Sequence, residues 1–134
     1  MIVVDTNVLA YLYLPTRETP LAERLLRQDP EWAAPVLWRS EFRNVLSLYL
    51  RKNEIDFARA YALQREAEDL MAGREYVVDS YEVLRLVRES PCSAYDCEFV
   101  ALAAELGCPL VTADRDVLRA FSDLAVSLGQ AVGA

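Results

Sequence analysis

The chain opens on a short, wholly apolar run, Ile2, Val3 and Val4, that ends at Asp5; after Thr6 and Asn7 a second apolar stretch extends from Val8 to Leu14. A run without polar alternation predicts a central parallel strand covered on both faces, with polar residues emerging at its C-terminal end. The segment from Met1 to Leu14 therefore reads as a buried strand entering a loop, broken at Pro15. Thr19 and Pro20 fit the N-cap and first position of a helix reaching about Arg27. Beyond Pro35, Leu37, Trp38, Phe42, Val45, Leu46, Tyr49 and Leu50 recur at helical spacing, with Glu41 close to the apolar stripe. Asp56 predicts the cap of a third helix, Phe57 to Met71, which Gly73 ends.

Tyr76 to Val78 reads as a short strand. Asp79 with Glu82 resembles a capping box opening a helix that stops near Pro91, and Ser93 starts a helix whose Phe99 to Ala104 segment is apolar enough to be buried against a sheet. Gly107 serves as its C-cap and Pro109 closes the turn. Leu110 to Thr112 is a further strand, followed by Asp114 and Asp116, a short helix around Val117 to Phe121, and a last strand, Leu124 to Val126. Strands alternating with helices predict a mostly parallel sheet with helices on both faces and right-handed crossovers, an α/β fold of three layers. At 134 residues, with no linker or repeat, one domain over residues 1–134 is expected.

Composition narrows the chemistry. No apolar run approaches the roughly eighteen residues of a membrane span, and the opening segment lacks a basic leader, so a cytoplasmic protein with no membrane partner is expected. Cys92, Cys97 and Cys108 are odd in number and form no CxxC pair, which argues for reduced, packed thiols and against zinc. The absence of histidine excludes Ser-His-Asp and Cys-His relays and paired-histidine ribonuclease chemistry. A net charge of −7 is the wrong sign for gripping nucleic acid through bulk electrostatics. Thirteen of the fourteen basic residues are arginine, however, and Arg39, Arg43 and Arg51 lie near Glu41, where they would either hold phosphate bidentately or pair with acids.

Four acids stand out by position. Asp5 ends the first strand and Asp114 follows the strand Leu110 to Thr112, so both face the crevice beyond the carboxyl edge of the sheet. Asp96 lies one turn into a helix and Glu41 within the first turns of another. Each has a structural alternative: Asp96 as part of a capping box with Ser93, Asp114 as a helix cap, Glu41 as a rim residue, and Asp116 as first-turn helix stabilisation beside a peripheral metal role. Asp5 is hardest to explain structurally, because a charge beside Val3 and Val4 is desolvated unless paired. Converging carboxylates repel one another, and a divalent cation reverses that interaction; all-oxygen ligands favour Mg²⁺, with Mn²⁺ as a substitute. Thr6, Asn7 and Thr112 at the same edge either orient a carboxylate or phosphate or cap a loop locally. Ser40 carries a weaker claim, and for Tyr95 and Trp38 packing against the sheet is favoured over stacking a base.

The segments IVVDTNVLAYL, WRSEFRNVL, SAYDCEFVALAAELG and PLVTADRDVLRAF, in this order, resemble the PIN domain, and more narrowly the VapC-like toxin ribonucleases of type II toxin–antitoxin pairs. The resemblance runs from Ile2 to about Val126. It implies a three-layer α/β/α sandwich, a metal-dependent endoribonuclease, an acidic quartet at Asp5, Glu41, Asp96 and Asp114, a variable acid at Asp116, and supporting roles for Asn7 and Thr112. It also implies an RNA substrate, a homodimer and a cognate antitoxin. Three rivals are weighed. A haloacid-dehalogenase-like phosphatase wants a second acid where Asn7 stands, and a receiver domain wants acids and a late lysine in an order not present. A non-catalytic PIN-like module that binds RNA or protein gains nothing from concentrated negative charge.

Overall fold

Five short strands form a single sheet in the order β3-β2-β1-β4-β5, every neighbouring pair parallel, in a computed structural model that describes all 134 residues. The strands are β1 (Ile2–Val4), β2 (Trp32–Pro35), β3 (Glu75–Tyr76), β4 (Leu110–Val111) and β5 (Ala125–Val126). Between and after them lie α1 (Thr6–Tyr13), α2 (Thr19–Gln28), α3 (Trp38–Arg51), α4 (Phe57–Met71), α5 (Ser80–Arg88), α6 (Ala94–Leu106), α7 (Arg115–Ala120) and α8 (Leu128–Val132).

The chain moves outward from β1 to β2 to β3, then returns past β1 to place β4 and β5 on the other side. Right-handed crossovers run in opposite directions must lay their helices on opposite faces. Accordingly α1 packs with α2, α3 and α4, and α4 reaches β2, whereas α6 packs across β1, β2 and β4 with α5 behind it. This is the expected three-layer α/β/α arrangement. The reversal falls between β1 and β4, where Val3 pairs with Leu110 and Val4 with Val111. In open α/β sheets such a switch point leaves a crevice beyond the carboxyl ends of the strands.

Burial explains why β1 shows no alternation: Ile2, Val3 and Val4 are all buried, with helices on both sides. Trp32, Trp38, Phe42 and Phe99 anchor the interior. Helix α6 buries Cys97, Phe99, Val100, Ala101, Leu102 and Ala103 and ends at Gly107, whose φ of 67° is the left-handed conformation a C-cap needs.

Several elements depart from the expectation. The stretch after Asp5 is helix α1, not strand and loop, and Asp5 is its N-cap. Strand β2 and helix α8 have no counterpart in the sequence reading; α8 opens on a capping box between Ser127 and Gln130. Thr19 is not the cap of α2. Its hydroxyl donates instead to the carbonyls of Tyr11 and Leu14 at 2.6 and 3.1 Å, tying α2 to the end of α1. Asp79 caps α5, but Glu82 turns to Arg85 at 2.7 Å and does not complete a box.

Candidate active site

Two strands deliver an acid to the switch point in the same way. β1 ends at Val4, next to Asp5, which caps α1; β4 ends at Val111, three residues before Asp114, which caps α7. The ladder continues into this corner, with the Asp5 amide donating to the Val111 carbonyl at 2.9 Å. Asp5 is 9% exposed. Its Oδ1 accepts from the Thr6 amide at 2.8 Å and its Oδ2 from the Thr112 hydroxyl at 2.7 Å. The fully buried Thr112 hydroxyl accepts in turn from the Asp114 amide at 3.0 Å, so one side chain sets both acids. Asp114 spends Oδ1 on the amides of Asp116 and Val117 at 2.9 and 3.0 Å, and its Oδ2 has no protein partner.

Helices bring the other two acids. Glu41, half-buried in the first turn of α3, accepts from the Thr6 hydroxyl at 2.8 Å through Oε1 alone. Asp96 lies in the first turn of α6, where its amide donates to Ser93 Oγ at 3.1 Å. The reciprocal half of that capping box is missing, and the Asp96 carboxylate is free of protein partners. Asn7 Oδ1 accepts from the Ala113 amide at 3.2 Å, fastening α1 to the loop after β4.

Asp5, Glu41, Asp96 and Asp114 line one open cavity of about 560 Å³, together with Thr6, Asn7, Leu37, Ser40, Asn44, Val45 and Tyr95. Thr112 lies beneath it, buried. Asp116 is not brought to the cavity: its side chain is 70% exposed and 3.9 Å from Arg119 on the outer side of α7. No lysine or arginine lines the cavity. Arg39, a candidate for holding phosphate, is committed elsewhere, with Nε and Nη2 on Glu75 at 2.6 and 2.7 Å and Nη1 on Glu68 at 3.4 Å. Arg43 borders a separate groove between α3 and α4, and Arg51 is exposed in the last turn of α3.

The electrostatic consequence is a pair of carboxyls held above their ordinary range. Burial pushes Asp5 up most, against the lowering effect of Thr112 and Thr6, and the charges of Asp96 and Asp114 push the same way. Glu41 is likewise raised, by burial first, against its bond from Thr6, and further by Asp5, Asp96 and Glu98. With no internal cation, this set of oxygen donors suits a hard divalent ion. Buried, mutually repelling carboxylates and the free oxygens on Glu41, Asp96 and Asp114 fit Mg²⁺ or Mn²⁺ in donor chemistry. As the side chains stand, no three acids converge closely enough to ligate one ion, so binding would require them to draw inward.

The aromatic residues divide. Trp38 is fully buried, tilted against Phe42 at 6.2 Å, and donates its indole N–H to Glu75 at 2.8 Å. Tyr95 does not pack as expected: it is 62% exposed at the cavity. Leu37 and Val45, read from the sequence as part of an inward apolar stripe, border the cavity, and so does Asn44, which carries no motif. Their signal is their spacing, since Leu37, Glu41 and Val45 recur every four residues and Ser40 with Asn44 forms the adjacent row.

Residues 2–124 match the family profile of the PIN domain. Ribonuclease VapC3 of Pyrobaculum aerophilum is 30% identical over 128 residues, which cover 92% of this chain and 96% of the relative. A crystal structure of a Pyrobaculum aerophilum protein superposes with a TM-score of 0.79 at 22% identity, covering 98% of this chain and 93% of the other. A toxin–antitoxin complex from Klebsiella pneumoniae gives a TM-score of 0.71 at 18% identity, over 96% of this chain and 98% of its counterpart. These two likenesses speak to the fold.

Proposed function

The chain belongs to the PIN domain family, and on that premise we propose that it is a divalent-metal-dependent endoribonuclease, the toxin of a type II toxin–antitoxin pair. The observation that carries the reading is the cavity at the switch point, where four carboxylates gather without a single internal cation. A structural role would satisfy such charges, whereas a site that works with a metal leaves them open. The name of the VapC3 relative supports ribonuclease activity, and the Klebsiella toxin–antitoxin neighbour supports a protein antitoxin as partner. The reading takes residues 1–134 as one nuclease domain acting in the cytoplasm as a homodimer. No helix is long and apolar enough to cross a membrane.

Asp5 and Asp96 would hold the cation directly, with Asp114 and Glu41 completing the set and Asp116 serving only as an outer acid. When bound, Mg²⁺ or Mn²⁺ would supply positive charge to offset the acids and polarise the scissile phosphodiester. Thr112 fixes Asp5 and Asp114 in register, and Thr6 does the same for Asp5 and Glu41. Glu41 or Asp114 orients a water and takes its proton as the water oxygen attacks phosphorus in line. The P–O3′ bond breaks, the 3′ oxygen gains a proton, and the product keeps a 5′ phosphate. No 2′-hydroxyl is needed as nucleophile.

The test is cleavage of a labelled RNA by the purified protein with Mg²⁺ or Mn²⁺, against Asp5→Asn. Loss of at least about 100-fold in rate is expected, the upper end of what perturbing a metal site's supports costs, with 5′-phosphate ends on the product. Equal turnover by both proteins, or 2′,3′-cyclic phosphate ends, would sink the proposal. A PIN-like module that binds RNA or protein without cutting is the alternative, and the acidic pI of about 4.6 keeps it in play; tight metal-independent binding with no turnover would favour it.

A further inference from the structure

We infer that Tyr95 is a base-stacking seat, which clamps an unpaired nucleotide next to the scissile phosphate. The inference rests on the nuclease reading above and adds a positioning residue to it. Tyr95 is 62% exposed, yet it belongs to the wall of the acid-lined cavity. Its hydroxyl has no hydrogen-bond partner, and its ring stacks on no other aromatic, unlike Tyr13 and Trp38 against Phe42 or Phe57 against Tyr61. It is therefore not part of the packing, and its stem is nonetheless held firmly. Tyr95 sits in the first turn of α6, a helix capped by Ser93 and locked into the core from Cys97 onward. It also directly precedes Asp96, so a base on the ring and a phosphate at the acids are served by adjacent residues of one rigid element.

Charge supplies the second strand of the argument. A polyanion entering this cavity meets four carboxylates and no arginine or lysine, since Arg39 is committed to Glu75 and Glu68. A cation held by the acids would meet the scissile phosphate alone; the rest of the strand finds no basic side chain here, and base stacking on an aromatic face is the main contact indifferent to charge available for single strands. Leu37 and Val45 add apolar wall beside Glu41, and Ser40 and Asn44 offer exposed polar groups able to meet a base edge. A duplex keeps its bases stacked on one another and cannot use such a seat.

The experiment has two readouts. In an Asp5→Asn background, a short single-stranded RNA carrying 2-aminopurine is titrated with protein in Mg²⁺ and fluorescence quenching is followed. In the otherwise unaltered protein, KM and kcat are measured on a cleavable single-stranded RNA. Tyr95→Ala is expected to abolish the quenching and raise KM about 10-fold or more with kcat within about 2-fold, while Tyr95→Phe and Tyr95→Trp retain both. The exposed position leaves the melting temperature unchanged. Quenching and KM unaffected in Tyr95→Ala, or a Tyr95→Phe protein as defective as Tyr95→Ala, would overturn the inference. So would a Tyr95→Ala protein altered only in self-association by sedimentation, which would assign the ring to a protein contact. Quenching in the Asp5→Asn protein together with no cleavage by the otherwise unaltered protein would overturn the nuclease reading and leave the stacking seat standing.

Discussion

Glu75 on β3 and Asp5 at the end of β1 are both shielded carboxylates with well-formed hydrogen bonds, but they lie in opposite electrostatic states. Glu75 receives the Arg39 guanidinium at 2.6 and 2.7 Å and the Trp38 indole at 2.8 Å, and these bonds, chiefly from Arg39, hold it below the ordinary carboxylate range. Asp5 receives an amide and a hydroxyl at similar distances, and burial still leaves it above that range. The difference is a cation. Helix α3 serves both regions, sending Arg39 to Glu75 and, two residues and about 200° further round, Glu41 to the cavity. A protein able to close an ion pair within one turn of Glu41 leaves the Asp5 region open, which distinguishes carboxylates that hold the fold from carboxylates reserved for something that binds.

The sharpest way to break that contrast is to control the metal. In chelator, cleavage should fall to background. Adding Mg²⁺ or Mn²⁺ at neutral pH should then restore it and raise the melting temperature by mass action on the folded state. Asp5→Asn should melt above the parent in chelator and gain little from the ion. A parent whose stability ignores divalent ions, or an Asp5→Asn protein less stable than the parent in chelator, would dissolve the contrast. Thr112→Val removes the hydroxyl that sets Asp5 and Asp114 together; the loss should be about 10–100-fold in activity or apparent Mn²⁺ affinity, measured by titration.

Substitution on the other side should hurt the fold and spare the chemistry. Glu75→Ala leaves the Trp38 indole unpaired and Arg39 with only its longer contact to Glu68, for an expected loss of about 1–3 kcal/mol in denaturant unfolding. The lower end is expected because the Arg39 side chain is 39% exposed and water takes over part of its pairing. Turnover per folded molecule should not change. The smallest effects are in pH, and they run in opposite senses. Glu75 has a folded pKa below its unfolded value near 4.5, so its stabilisation is present above that pH and fades as acid takes the solution through the folded value. Asp5 has a raised folded pKa, so its penalty is complete above that value and vanishes as pH falls toward the unfolded value near 3.8. In chelator, the stability gap between Asp5→Asn and the parent should therefore narrow on acidification, while the gap between the parent and Glu75→Ala should close only at lower pH. Parallel pH profiles for the two gaps would count against the assignment.

Much of the fold was legible because its elements carry local signals. Asp56 with the stripe to Met71 predicted α4 to the residue, and Gly107 marked the end of α6. The gaps have physical reasons. Val8 to Leu14 is so uniformly apolar that a run of that length fits a buried strand as well as a buried helix, and only the Asp5 cap decides. Strand β2 is Trp-Ala-Ala-Pro, poor in β-formers; it exists because β1 and β3 flank it. At the cavity, strand ends pointed to Asp5 and Asp114. Tertiary contacts alone reveal that Arg39 faces away, that Asp116 lies outside and that Tyr95 is uncovered, because helical spacing gives a face but not its neighbour.

The Thr112–Asp5 hydrogen bond closes a loop of 107 residues. While the polypeptide is being made, β1 emerges first but waits for β4, its neighbour on one side, until most of the chain has followed. A ribosome-bound fragment that stops short of β4 holds Asp5, Glu41 and Asp96 without the Thr112 hydroxyl that fixes Asp5 and without Asp114. The molecule is thus built so that its reactive constellation comes into being late in its own synthesis, and a fragment broken off early would carry acids without a working centre.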